Sequence, residues 1–135
     1  MSSRSIDDLS ERFRPLAERL LARTVEARIP VVVVCTRRTL AEHQANLAAG
    51  TSRTQHSKHL DGDAIDICPF SLFDAHGSNK LLWDTNHPFW FRLGAIGEAL
   101  GLRWGGRFKP LDTNGLGWDP GHFEYVEPKS TPAQG

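Results

Sequence analysis

Apolar positions recur along this chain in helical and strand-like rhythms that divide it into short elements. Ile6, Leu9 and Phe13 are spaced for one face of a helix, and Leu16, Leu20, Leu21 and Val25 form a second stripe. Pro15 separates them, because proline fits the first turn of a helix and not its interior. The pattern predicts a short opening helix and a second from about Pro15 to Ala27, buried along Leu16, Leu20, Leu21 and Val25. Ile29 to Cys35 is rich in β-branched residues and predicts a strand buried on both faces. Thr39 with Glu42 three residues on has the form of a capping box, so a helix should run from there to about Ala49 and stop at Gly50.

Gly50 to His56 is polar and reads as a loop. Beyond Ser57 the period changes to two. Ala64 and Asp66 share one strand face and Ile65 and Ile67 the other, so the apolar pair enters the core and Asp66 faces a cleft. Pro69 to Lys80 reads as another loop. Asn86-His87-Pro88 looks like a helix start, followed by a stripe of Phe89, Leu93, Ile96 and Leu100 and a stop at Gly101. Leu102 to Trp104 is a short strand, and Arg107 to Gly117 is irregular. His122 to Val126 is a last strand, with His122, Glu124 and Val126 on one face and Phe123 and Tyr125 on the other. The pattern implies one domain over residues 1–126, and 127–135 has the composition of a disordered tail.

Composition narrows the function. A chain of 135 residues suits one domain with a core that needs no disulfide staples. Sixteen basic and sixteen acidic residues cancel, which argues against nucleic acid as a partner. Cys35 and Cys68 sit in apolar surroundings without CxxC spacing, so buried free thiols are expected. The first residues lack the apolar stretch of a secretory signal, and no apolar run reaches the ~20 residues that span a bilayer. The expectation is a soluble protein made in the cytoplasm, with no stable membrane association.

The chemistry gathers in two stretches. Ser57-Lys58-His59-Leu60-Asp61-Gly62-Asp63-Ala64-Ile65-Asp66 sets an imidazole and a carboxylate seven positions apart. Far downstream, Trp118-Asp119-Pro120-Gly121-His122-Phe123-Glu124 adds a second imidazole. His59, Asp66 and His122 match the ligand count of a catalytic zinc site, which keeps one position open. Asp119 is a spare carboxylate that a Pro-Gly turn can fold back as a general base. Glu124, two past His122, can orient an imidazole or the substrate. A structural reading of the same residues stands beside this one, since His43, His56, His76 and His87 show that histidine alone carries little here. Arg37 and Arg38, between a core strand and a capped helix, are either solvated or include one guanidinium aimed at an anion.

The pattern Ser-x-His-x-x-Gly-x-Ala-x-Asp, followed by Asp-x-x-His, resembles the LAS-type zinc peptidases. These include D-alanyl-D-alanine carboxypeptidases and dipeptidases and the phage L-alanyl-D-glutamate endopeptidases. Ser57, His59, Gly62, Ala64 and Asp66 fill the first motif, and Asp119 and His122 the second. The run from Arg38 and Thr39 to Glu42 and Gln44 also resembles the family, as do Gly101 to Gly106 and His122 to Glu124. After Trp104-Gly105-Gly106 the resemblance leads to an Asp, and Arg107 stands there instead.

The resemblance implies an α+β fold, a small antiparallel sheet flanked by helices with zinc in a cleft on the sheet. It implies His59, Asp66 and His122 as zinc ligands, Asp119 as the base and Arg38 as the group that binds substrate or the oxyanion. Arg37, Ser57 and Glu124 are the expected substrate-side residues. The implied activity is that of a metallopeptidase cutting the stem peptide of bacterial peptidoglycan, as in an endolysin of a bacteriophage, most simply at L-alanyl-D-glutamate. Such an enzyme would act at the cell wall as a monomer, after leaving the cytoplasm through a separate holin-type pore. The alternatives are a D-alanyl-D-alanine dipeptidase or carboxypeptidase, and a non-catalytic zinc-containing binding module, against which an intact Asp119 argues.

Overall fold

The computed structural model describes residues 3–50, 57–71 and 81–127. Of the loops expected over Gly50 to His56 and Pro69 to Lys80 and the tail expected over 127–135, residues 51–56, 72–80 and 128–135, with Arg53, His56 and His76, lie outside the described residues, and Pro69 belongs to a strand.

Ile6–Asp8 forms a 3-10 turn capped by Ser5, and helix α1 follows over Arg14–Glu26 with Pro15 in its first turn. Its buried face is Phe13, Ala17, Leu20 and Thr24. This corrects the expected stripe: Leu16 and Leu21 are only partly buried, and Val25 is 75% exposed. Ala17 and Thr24 are weak as hydrophobic signals, yet they set the phase of the helix against the core.

Strand β1 (Val31–Cys35) leads through Thr36 to Arg38 into helix α2 (Leu40–Ala48). The capping box forms as expected, Thr39 taking the Glu42 N–H and Glu42 returning to the Thr39 N–H. A 3-10 turn over Lys58–Asp61 precedes strand β2 (Ala64–Pro69). Helix α3 spans Phe89–Ala99, then come strands β3 (Arg103–Trp104) and β4 (His122–Glu124). The last strand is shorter than expected, and Val126 lies outside it, 47% exposed.

The sheet is antiparallel throughout, in the order β1-β2-β4-β3. Thus β1 is an edge strand, and Val31 to Val34 are half-buried instead of sealed on both faces. The ladder between β1 and β2 slips between Val33 and Cys35, where Val33 faces Ile67 and Cys35 faces Asp66. Such an irregularity re-aims the chain locally. Here it delivers Cys35 and Thr36 to the side of Asp66.

Helix α1 and helix α3 cover the sheet, with Phe13, Leu20, Ile29, Ile65, Ile67, Trp90, Leu93, Trp104 and Phe123 in one core. The α3 face differs in detail from the expected stripe: Trp90 is fully buried, while Phe89, Ile96 and Leu100 are partly so. Gly94 and Gly97 leave space filled by the rings of Trp104 and Phe123. Each fully buried large apolar side chain contributes about 1.5–3 kcal/mol. The core therefore supplies the stability, and the polar end of the sheet is free to carry chemistry. Cys35 and Cys68 are both buried and free.

Candidate metal centre

The 3-10 turn that carries His59 is held from several sides. The Ser57 hydroxyl accepts the His59 N–H at 3.2 Å, and the His59 carbonyl accepts the Arg38 N–H at 3.1 Å. Gly62 closes the turn at φ +74, and a β-carbon there would lie 2.8 Å from the Ser10 nitrogen. Only glycine meets both demands. The Ser57 hydroxyl is buried and engaged by the backbone of the residue it precedes by two.

Below this turn, His59 Nδ1 lies 2.6 Å from the Thr36 carbonyl oxygen. A carbonyl only accepts, so Nδ1 carries a hydrogen, and in the neutral ring Nε2 keeps its lone pair. That Nε2 is buried, makes no hydrogen bond, and lies 3.1 Å from Asp66 Oδ1.

His122 is arranged in the same way with the nitrogens exchanged. It sits directly opposite Asp66 across the β2–β4 ladder. Its Nε2–H donates to Glu124 Oε1 at 2.8 Å, which leaves Nδ1 facing Asp66 Oδ1 at 3.0 Å and Asp119 Oδ2 at 3.8 Å. The two rings stand edge to face, 5.2 Å apart. Each imidazole is thus pinned through one nitrogen and offers the other to the same carboxylate, the arrangement by which outer partners orient metal ligands.

The electrostatics point the same way. Burial opposes ionisation of Asp66, but His122 and His59 hold its carboxyl well below the usual carboxylate range. Burial alone would lower the His59 pKa, yet Asp66 and then Cys35 raise it to about 10. His122 is raised against the same burial by Asp66 and Glu124 to about 9. The centre therefore demands positive charge and takes it as protons when nothing else supplies it. A divalent cation is the other way to meet that demand. The chemistry of the donor set and the unpartnered His59 Nε2 fit such an ion.

Among the described residues two overlapping groups of donors result, Cys35 with His59 and Asp66, and Asp66 with Asp119 and His122, in each of which ligand atoms lie within 4.8 Å of one another. Asp66 belongs to both. Cys35 Sγ lies 3.7 Å from His59 Nδ1, the nitrogen already engaged by Thr36, so the thiol sits at the spent edge of the ring.

Asp119 is about a third exposed at the rim of the centre. Its burial and the neighbouring Asp66 carboxylate push its pKa up to about 6, against His122, His59 and Arg38. The loop that carries it is clamped to the 3-10 turn over Gly105–Arg107. The Asp119 N–H donates to the Gly105 carbonyl at 3.3 Å, and Trp104 Nε1–H donates to the Pro120 carbonyl at 2.7 Å. A β-carbon on Gly105 would fall 2.0 Å from the Asp119 carbonyl oxygen. The Trp-Gly-Gly run is therefore the seat of the Asp119 turn. Arg107, where an Asp was expected, pairs instead with Glu98 through two hydrogen bonds of 3.1 and 3.0 Å.

The two arginines separate cleanly. Arg38 is mostly buried, with its guanidinium 4.0 Å from Asp66 Oδ2 and 3.8 Å from Cys35 Sγ. Arg37 points to solvent and reaches only the Leu60 carbonyl, at 3.5 Å. Both border a depression of about 430 Å³ with Leu40 and Leu60. Glu124 turns one carboxylate oxygen to His122 and the other toward Arg103. The Thr36 carbonyl escaped the sequence reading, because any residue type supplies a carbonyl. Cys35 was read only as a core thiol, and the shifted β1 register that brings it here has no signature in the residue pattern.

A family model for phage L-alanyl-D-glutamate peptidases matches residues 1–126. Among solved structures, the chain is similar to the L-Ala D-Glu endopeptidase ChiX of Serratia marcescens, with a TM-score of 0.66 and 20% identity over 93% of this chain and 89% of that one. It is also similar to VanYB, solved in complex with D-alanine-D-alanine, with a TM-score of 0.59 and 17% identity over 88% of this chain and 72% of that one. At these identities the structural likeness speaks for the fold. No curated protein sequence matches the chain.

Proposed function

The chain belongs to the phage L-alanyl-D-glutamate peptidase family, a family of peptidoglycan-cleaving enzymes, and on that premise we propose that it hydrolyses the L-alanyl-D-glutamate bond of the stem peptide with zinc held by His59, Asp66 and His122. The observation that carries this reading is Asp66 Oδ1, 3.1 Å from His59 Nε2 and 3.0 Å from His122 Nδ1, with the far nitrogen of each ring already bonded to Thr36 or Glu124.

A bound zinc ion supplies Lewis acidity toward a water molecule and the scissile carbonyl. Asp119 takes the proton from the attacking water and passes it to the leaving amine. Its raised pKa suits both halves of that task, since a base works best with a pKa near the working pH. Arg38 lies on the Asp66 side of the centre and supplies guanidinium N–H donors to the oxygen that becomes negative as the carbonyl is attacked. Ser57, Thr36 and Glu124 hold the two imidazoles in the required orientation. Phe108, whose ring centre lies 5.7 Å from that of His122, and Trp118 form an apolar wall beside the centre.

Among the described residues no helix is long and apolar enough to cross a membrane. Action as a monomer at the cell wall, with passage through a holin-type pore, belongs to this proposal.

Mass spectrometry of muropeptides after digestion of purified sacculi tests it. The expected products carry a new L-alanine C-terminus on the glycan side and a D-glutamate N-terminus on the released peptide. Release of D-alanine or D-alanyl-D-alanine instead would assign the alternative specificity. Chelation should abolish turnover and zinc restore it. Full activity in protein shown by elemental analysis to be metal-free would overturn the zinc assignment.

A further inference from the structure

Three carboxylates, Asp66, Asp119 and Glu124, crowd the candidate centre. A substrate that brings another carboxylate meets repulsion unless a cation receives it. Substrates of the proposed reaction bring one wherever the glutamyl residue is not amidated. Glutamate has two carboxyls, and only one is consumed in the peptide bond to the next residue. The residue just after the scissile bond therefore carries a free carboxylate close to the reacting carbonyl.

Among the described residues, the arginines near the sheet are mostly spent. Arg12 binds Asp63, Arg14 binds the Asp7 and Leu9 carbonyls, Arg92 binds the Ala27 carbonyl, and Arg107 binds Glu98. Arg38 is turned toward Asp66 and Cys35. Arg103 differs. It sits on β3 directly opposite Glu124 of β4, which places it one strand from His122. Its side chain is 63% exposed, and its guanidinium lies over the Phe108 ring at 4.7 Å, the same ring that flanks His122. It forms an ion pair with Glu124 Oε2 at 3.7 Å, beyond hydrogen-bond length, so its N–H donors make no hydrogen bond and remain open to a second carboxylate. The ring holds the guanidinium plane in place without using its donors.

We propose that Arg103, laid across Phe108 beside His122, binds the free carboxylate of the glutamyl residue that follows the scissile bond. The proposal rests on the L-alanyl-D-glutamate reading above. It makes Arg103 a specificity residue on the side of the centre away from Arg38.

The test compares two synthetic stem peptides on the zinc-loaded enzyme, one with the free glutamyl carboxylate and one with that group as a carboxamide. A charge-assisted pair should make the parent enzyme favour the carboxylate in kcat/KM by roughly 10- to 100-fold, mostly through KM. Arg103→Ala should bring the ratio near one, and Arg103→Lys should restore part of it. Calorimetry of the released glutamyl peptide should show the same loss of affinity without turnover. The proposal is overturned if the parent enzyme ignores amidation, or if Arg103→Ala depresses both peptides equally. The second result, with reduced zinc content, would mean that Arg103 acts through Glu124 on His122. Product masses keep this test separate from the underlying reading, because they identify the bond that is cut whatever the preference for the carboxylate.

Discussion

Asp63 and Asp66 flank the start of β2, three residues apart, and both carboxyls are held below the usual carboxylate range. At Asp63 burial opposes ionisation, and hydrogen bonds from Arg12 and Ser10 overcome it, at 2.6 and 2.5 Å. The Asp63 carbonyl also accepts the Tyr125 N–H at 2.8 Å, while Arg12 lies over the Tyr125 ring and reaches Glu127. This residue thus ties the N-terminal segment, the His59 motif and the end of β4 together. Asp66 meets two imidazoles instead. A guanidinium cannot surrender its proton at any ordinary pH, so the Asp63 site is closed. An imidazole can, so the cation at Asp66 is exchangeable. The nature of the partner, more than burial or pKa, separates a structural carboxylate from a candidate metal ligand.

The largest break in this comparison is Asp66→Asn. It keeps the shape and removes the charge that draws the cation, so zinc content and turnover should both be lost while the chain still folds. Stoichiometric zinc in that variant, by elemental analysis, would move the metal elsewhere. Cys35→Ser should keep its zinc. Asp119→Asn comes next. It should bind zinc and fold normally, with kcat lower by ~10²–10⁴ as positioned acid–base catalysis is removed. Loss of zinc there would make Asp119 a ligand, and full activity with full zinc would transfer the base to another carboxylate.

Arg38 and Arg37 sharpen the contrast at smaller amplitude. Arg38→Ala should lower turnover by roughly 10²-fold, the scale of one preorganised donor to a developing oxyanion. Its melting temperature should stay within a few degrees. Arg37→Ala, which removes an exposed side chain, should change turnover little. Reversed results would make Arg37 the group that reads the anion.

Local chemistry made much of this legible. A capping box is a four-residue contract, and Thr39 and Glu42 honour it. The spacing from His59 to Asp66 works because Gly62 closes one turn and β2 starts at once. Non-local pairing was harder to see. No residue in Val31–Cys35 says that β1 is an edge strand, since strand order depends on partners dozens of residues away. The phase of α1 went to Ala17 and Thr24 instead of Val25, because fit against the core decides it and hydrophobicity alone does not. At the centre, side chains could be nominated by type, but the Thr36 carbonyl that sets the His59 tautomer could not.

The smallest expected effect on turnover, and the clearest on pH, belongs to Asp63. Its folded-state pKa lies below that of the unfolded chain, so the unfolded chain binds the proton first as pH falls. The stability it contributes is therefore complete above about pH 4, the unfolded value, and drains away as pH drops through the folded one. In metal-free protein, Asp63→Asn should lower the melting temperature by several degrees at pH 7, and the gap to the parent should close in acid. Asp66 has a further limb on the alkaline side. It raises His59 to about 10 and His122 to about 9, so the stability their protonated forms contribute is full below about pH 6.5 and lost as pH rises through 9 to 10. Asp66→Asn should flatten that alkaline loss, whereas Asp63→Asn should leave it in place. Melting curves of the three metal-free proteins between pH 3 and 10 decide the matter. If both variants flatten the same limb, the two carboxylates share one electrostatic network, and the division between a closed site and an exchangeable one fails.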